Sequence, residues 1–374
     1  MNNERIKILF VVQLPPPVHG SASISDILVK SPILKSTFDL QVLPLNYAKS
    51  MKDLGGISFT KAFKMFVVAG QLINSIRSFK PVAVYFTITP FGFGFYRDML
   101  FVTILKLSRV KLVYHLHMKG VNEDSDKKIL KRGLYKYVFK KAYVITLSKI
   151  LSQDISRVYN GKPFVVNNGL PAVIKESSFK VSQKLNLDVL FLSNFMKAKG
   201  IFVFLNSIKI LRDRGCRYQA HIVGAPGDVS IEEIQILIIR NDLGDRVFLH
   251  GPKYGSEKLD LLAKMDIFVH PTLNDAFPLV ILEAMQFRLP IVSTYEGAIP
   301  EIVDNFITGF LVPKNDEIAL ADKIELLLND KILRMEMGLA SKKKFLAKYT
   351  SQQMEKNIAD TLLEICTPKK ESIK

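Results

Sequence analysis

Residues 274–286 read NDAFPLVILEAMQ, with two carboxylates, Asp275 and Glu283, eight positions apart around an otherwise apolar run. A charge left unpaired among apolar neighbours is costly, so Glu283 needs hydrogen-bond donors. Sugar hydroxyls are good donors for such a carboxylate; a buried salt bridge or an exposed helical position would satisfy it equally. Proline is favoured in a first helical turn, so a helix beginning near Pro278 would direct its positive end at the loop holding Asp275. Leu279, Val280, Ile281 and Leu282 are expected to be covered on nearly every side.

Three further stretches could carry chemistry. SNFMKAKGI (193–201) places Lys197 and Lys199 ahead of a second helix. Cations there oppose the helix dipole unless an anion such as a diphosphate lies between them and the amides; solvated lysines are the alternative. LPPPVHGSAS (14–23) offers one glycine, Gly20, in a strand–loop–helix turn where backbone N–H groups could approach a phosphate. An ordinary loop stiffened by prolines reads the same way. KLVYHLHMKG (111–120) sets His115 and His117 on one face of a strand. His117, nearer the carboxyl end, could act as an acid/base or a hydrogen-bond donor; one packed and one surface imidazole is the plain alternative. Asp-x-Asp within residues 123–126 suggests a metal, but it stands in a charged loop and not directly after an apolar strand, so no metal is assigned to it.

The elements that must position these groups alternate along the chain. Strand-like runs at 6–12, 39–45, 83–88, 111–117, 142–148 and 163–169 are separated by helical patterns, including 21–34, 59–79 and 127–142. A polar stretch, 171–186, reads as a linker, after which strand and helix alternate again until the chain becomes helical from Glu317 to about Cys366. Apolar strands alternating with helices imply α/β units with parallel sheets covered on both faces. Ligands bind beyond the carboxyl ends of such strands, where all four stretches lie.

Of the 374 residues, 48% are hydrophobic and 23% charged, an ordinary globular mixture. The net charge of +17 is one-sided: residues 1–180 hold 27 Lys and Arg against 10 Asp and Glu, and the remainder holds 25 against 25. A basic half attracts nucleic acid, anionic lipid or a phosphorylated substrate. Cys216 and Cys366 have no metal-ligand spacing and suit a reducing compartment. The start of the chain shows no cleavage site of a secretory signal, and the longest apolar segment, 63–76, is interrupted by polar residues. The expectation is a cytoplasmic protein.

These stretches together resemble the retaining GT-B glycosyltransferases, the glycosyl transferases group 1 or glycosyltransferase family 4. DAFPLVILEA resembles the family's Glu-x7-Glu text, E-G-F-P-L-x-x-x-E-A, and LPIVSTYEGAIPEIVDNFITGFLV continues the likeness. The resemblance implies two Rossmann-like, doubly wound domains facing a central cleft: an acceptor domain at 1–175, a nucleotide-sugar domain at 176–350, and a C-terminal helix at 351–374 returning to the first. It implies that Glu283 holds ribose hydroxyls and Asp275 the transferred sugar. The amides from Ala276 through Phe277 and Pro278 to Leu279 would lie near sugar and diphosphate, and Lys199 would neutralise the diphosphate. Gly20 matches the N-terminal loop and His117 the histidine beside the reacting sugar. Asn194 stands where the family has arginine, with Lys197 as a substitute, and Asp275 is one methylene shorter than the usual glutamate.

The expected partners are a nucleotide-sugar and a glycan or lipid-linked acceptor in cell-surface glycan synthesis, with no metal, cofactor or nucleic acid. The basic pattern at 127–142 suggests adsorption to an anionic membrane at its inner face; a core-packed surface helix with solvated lysines fits the same pattern. A nucleic-acid-binding protein would account for the charge but leaves 274–286 unexplained. An NAD(P) oxidoreductase shares the α/β pattern but wants a glycine fingerprint that this chain lacks.

Overall fold

The structure is a computed structural model describing residues 4–45, 59–173 and 186–367. It divides into two units, residues 1–169 with 351–374, and Leu170–Thr350. The linker expected at 171–186 lies mostly outside the described residues.

The first unit holds β1 (Ile6–Val12), β2 (Phe38–Pro44), β3 (Ala83–Phe86), β4 (Lys111–Leu116), β5 (Ala142–Thr146) and β6 (Phe164–Val165). They form one parallel sheet in the order β2-β1-β3-β4-β5-β6. The second unit holds β7 (Leu187–Leu192), β8 (Tyr218–Val223), β9 (Val247–Leu249), β10 (Ile267–His270), β11 (Ile291–Thr294) and β12 (Gly309–Val312). These are also parallel, in the order β12-β11-β10-β7-β8-β9. Ile8 to Val12 and Val189 to Phe191 are fully buried, because helices cover both faces of each sheet. All twelve strands fall where apolar, β-branched runs predict them.

Strand order reverses between β1 and β3 in the first sheet and between β7 and β10 in the second. At such a switch point the flanking loops leave toward opposite faces and open a crevice beyond the strand ends. The loops after β1, β7 and β10 therefore command attention, each in its own unit.

Two expected helices are shorter than their patterns. The run at 21–34 splits into Gly20–Lys30 and Pro32–Thr37, because Pro32 has no N–H and disfavours helical geometry at Ser31. Ser31 instead caps the second helix at the Leu34 N–H and donates to Glu355 Oε2 at 2.6 Å. That contact, with Lys111 Nζ donating to the Ile365 carbonyl at 2.8 Å, fixes the last helix, Ser351–Cys366, within the first unit. The pattern at 127–142 becomes a helix over Ile129–Phe139 only. Its apolar residues Tyr135, Val138 and Phe139 are committed to the core, while Ile129 and Leu130 at its start are exposed.

Candidate functional site

In the second unit, β7 and β10 are neighbours and the loops that follow them are stitched together. The Ala198 carbonyl accepts from Leu273 N–H at 2.9 Å, Asn274 N–H at 3.1 Å and Thr272 Oγ1 at 3.1 Å. Gly200, at φ +77°, permits this approach: a Cβ there would stand 1.9 Å from the Pro271 carbonyl oxygen. Lys199 and Asp275 are thereby brought face to face, Nζ to Oδ2 at 2.6 Å. The ammonium expected to await a bound anion is thus already paired with a carboxylate of its own chain.

Asp275 is held from two more sides. Its N–H donates to Glu296 Oε1 at 3.2 Å, and Glu296, itself buried, pairs with Lys314 at 2.9 Å. Gly297, at φ +51°, lies so close that a Cβ would meet the Asp275 carbonyl at 2.1 Å, and Ala298 N–H donates to the Ala276 carbonyl at 2.8 Å. Burial opposes ionisation of Asp275, but the adjacent His270 and Lys199 outweigh it and hold the carboxyl below its usual range. His270 Nε2 lies 3.5 Å from Oδ2, a long contact.

The helix Leu279–Gln286 follows, with Pro278 as its N-cap. Leu279 and Val280 are half-buried rather than covered on every side; Ile281 and Leu282 are fully buried. Phe277 packs edge-on against Tyr349 and contributes backbone rather than ring to the loop. Among the described residues, the Ala276 and Phe277 N–H groups have no protein acceptor. Glu283 does find a donor within the chain: Lys258, on the helix Gly255–Leu262, meets Oε1 at 2.6 Å. Its other oxygen, Oε2, is buried and has no partner. Asn194 and Lys197 are exposed beside the loop, with the Lys197 N–H donating to Asp228 Oδ1 at 2.9 Å.

In the first unit, Gly20 opens the helix after β1, and His19 is its N-cap, with Nδ1 accepting from Ala22 N–H at 3.4 Å. Tyr85 Oη bonds His115 Nδ1, and the His115 ring lies 4.1 Å from that of His117, centroid to centroid. The same-face reading of the two histidines holds. His115 Nε2 and both nitrogens of His117 are buried without partners. Burial first, and the charge of His19 second, push His117 down to about 3, so its ring is neutral at physiological pH. It can donate one hydrogen bond and accept another there, but it is no imidazolium acid. The Asp-x-Asp acids are spent internally: Asp124 pairs with Lys131 at 2.6 Å and accepts from Tyr135 Oη, and Asp126 pairs with Arg157.

The sequence reading missed Lys258, Glu296, Lys314 and His270. Lys258 and Lys314 look like ordinary surface lysines, and only the fold reveals the acids they meet. His270 was legible as the last residue of an apolar strand.

Residues 174–344 match the family described as glycosyl transferases group 1. The capsular polysaccharide biosynthesis glycosyltransferase CapM of Staphylococcus aureus is 32% identical over 169 residues, 45% of this chain and 43% of CapM. The match thus spans less than half the length of that relative. A glycosyltransferase from Rickettsia africae superposes with a TM-score of 0.76 at 18% identity, covering 98% of this chain and 100% of that one. HepE of Anabaena, solved with UDP and glucose, superposes at 0.73 and 19% identity, covering 96% and 100%. The two parallel sheets and these neighbours together define the GT-B fold. The whole chain thus shares the GT-B fold of these neighbours, and residues 174–344 of its second unit are similar in sequence to the glycosyl transferases group 1.

Proposed function

We propose that the protein transfers a sugar, with retention, from a nucleotide-sugar to an acceptor hydroxyl. The single observation that carries this reading is Glu283 Oε2, a buried acceptor without a partner, while Lys258 satisfies Oε1. Two ribose hydroxyls would donate to it. The helix of Glu283 begins next to the Lys199–Asp275 pair at the switch point, which supports adjoining positions for the diphosphate and the transferred sugar.

In the reaction the bond from the anomeric carbon to the diphosphate oxygen breaks, and the acceptor hydroxyl's oxygen takes its place on the same face while its proton passes to the departing diphosphate. Negative charge grows on the leaving diphosphate, where Lys199 and the N–H groups of Ala276 and Phe277 would stabilise it. Lys197 would lie further out on the same loop, and Asn194 beside it. Asp275, kept ionised, accepts from hydroxyls of the sugar. The fixed cation and amides carry the leaving-group charge, so we assign no metal ion. Within the first unit, read as the acceptor-binding one, His117, neutral, would hydrogen-bond a sugar hydroxyl presented there, with Gly20 opening the loop beside it.

The acceptor is a lipid-linked or polysaccharide precursor, met at the inner membrane surface; CapM, by its name, serves capsular polysaccharide synthesis. Thermal-shift screening against UDP, GDP, ADP and CMP tests the reading, with UDP first because HepE was solved with it. One nucleotide is expected to raise Tm in the wild type and not in Glu283→Gln, with EDTA leaving activity intact. No shift with any nucleotide would count against it.

A further inference from the structure

Three helices of the first unit, Phe59–Phe79, Gly92–Leu107 and Ile129–Phe139, share one face of its sheet. Leu72, Phe101, Val102, Tyr135 and Val138 pack in one core with Leu9, Val84, Leu112 and Val144 of the strands. Helices that cross over a parallel sheet run against its strands, so all three begin at the carboxyl edge, the edge that also carries His117 and Gly20. Tyr137 Oη donating to Thr103 Oγ1 at 3.0 Å ties two of them side by side.

The starts of these helices are apolar on the side away from the core. In Phe59–Phe79, Met65, Val68, Ala69 and Leu72 serve the core, yet Phe63 and Phe66 are 71% and 66% exposed. Between Phe63 and Val67 this helix therefore turns apolar side chains outward as well as inward, around Lys64. The next helix exposes Phe93 and Tyr96 in its first turns, and the third exposes Ile129 and Leu130 at 93% and 76%. Lys64, Lys128 and Arg132 stand exposed among them.

We infer that this rim is a docking surface for an anionic lipid bilayer, entered by three helix starts rather than by the flank of one basic helix. Apolar and aromatic side chains ringed by cations are what a headgroup boundary accommodates, and cations near anionic lipid add attraction that salt weakens. Charge selects this occupant. A second copy would set the same lysines against each other on a half of the chain that carries 27 basic against 10 acidic residues. No helix among the described residues is long and apolar enough to cross a membrane, so the contact is interfacial. Resting on the proposed function, the surface adds that the acceptor reaches His117 from the lipid side.

Full-length protein is to be sedimented with phosphatidylcholine vesicles, with and without phosphatidylglycerol, at low and moderate salt. The expected result is salt-sensitive binding only to vesicles containing phosphatidylglycerol, lowered at least about tenfold in Phe63→Glu/Phe66→Glu and in Ile129→Glu/Leu130→Glu. Both variants should keep the wild-type Tm and its nucleotide response. Failure of nucleotides to bind the wild type would fault the donor site alone and leave the docking surface standing. The inference is overturned if the wild type ignores phosphatidylglycerol vesicles or if both double variants still bind them. A dimer in light scattering that either double variant dissociates would also overturn it.

Discussion

The two units share a plan, six parallel strands with one reversal of order, but handle charge in opposite ways. At the carboxyl edge of the first sheet stand imidazoles kept neutral, with His115 Nε2 and both His117 nitrogens unpartnered. At the switch point of the second stand full charges in pairs: Lys199 with Asp275, Lys258 with Glu283, Lys314 with Glu296. Burial accounts for the contrast. A buried imidazole escapes desolvation by giving up its proton, whereas the lysines and acids of the second unit offset their desolvation by pairing. A neutral hydrogen-bonding surface suits hydroxyl groups, and a charged one with a lysine at a loop junction suits a diphosphate.

The comparison breaks most readily at Lys199. Lys199→Met removes the cation paired with Asp275; kcat is expected to fall about 100- to 1,000-fold, read by steady-state kinetics. Glu283→Gln keeps the shape but would weaken the charge-assisted bonds proposed to ribose, for an expected loss of about 10- to 100-fold in kcat/KM. Gly200→Ala forces a Cβ against the Pro271 carbonyl, in a left-handed conformation. It should lower unfolding free energy by more than about 1 kcal/mol in denaturant titration.

The smallest effect sharpens the contrast through pH. His117 titrates near 3 when folded against 6.5 in the free side chain, so below pH 6.5 the unfolded chain binds a proton that the folded ring refuses. Its contribution to stability is complete above pH 6.5 and is lost as pH falls toward 3. His117→Asn should flatten that part of the stability–pH curve in the first unit, followed by circular dichroism. Because the ring is already neutral, the same substitution should leave no acid limb missing from the rate profile between pH 6 and 8.

Strand positions were legible because parallel strands are apolar on both faces and stand out as short runs such as IKILFVV and LDVLFL. Helix ends were less so. Pro32 breaks a helix whose hydrophobic pattern runs on past it, and the pattern at 127–142 outlasts the helix it marks. Of the candidate site, Asp275, Glu283 and Lys199 were legible from their spacing after strands, since position beyond a strand end is encoded locally. Their partners were not. Lys258 lies 25 residues from Glu283 and Lys199 lies 76 from Asp275. Only strand order brings such pairs together, and nothing in a lysine's own neighbourhood reports which acid it will meet.

The central claim is that a nucleoside diphosphate docks in the second unit, its ribose on Glu283 and its phosphates beside Lys199. Calorimetric titration of wild type, Glu283→Gln and Lys199→Met with the selected diphosphate and with its nucleoside tests it most directly. The account predicts that Glu283→Gln weakens both ligands alike, whereas Lys199→Met weakens the diphosphate and leaves the nucleoside unchanged. Wild-type affinity for both ligands in both variants would contradict it.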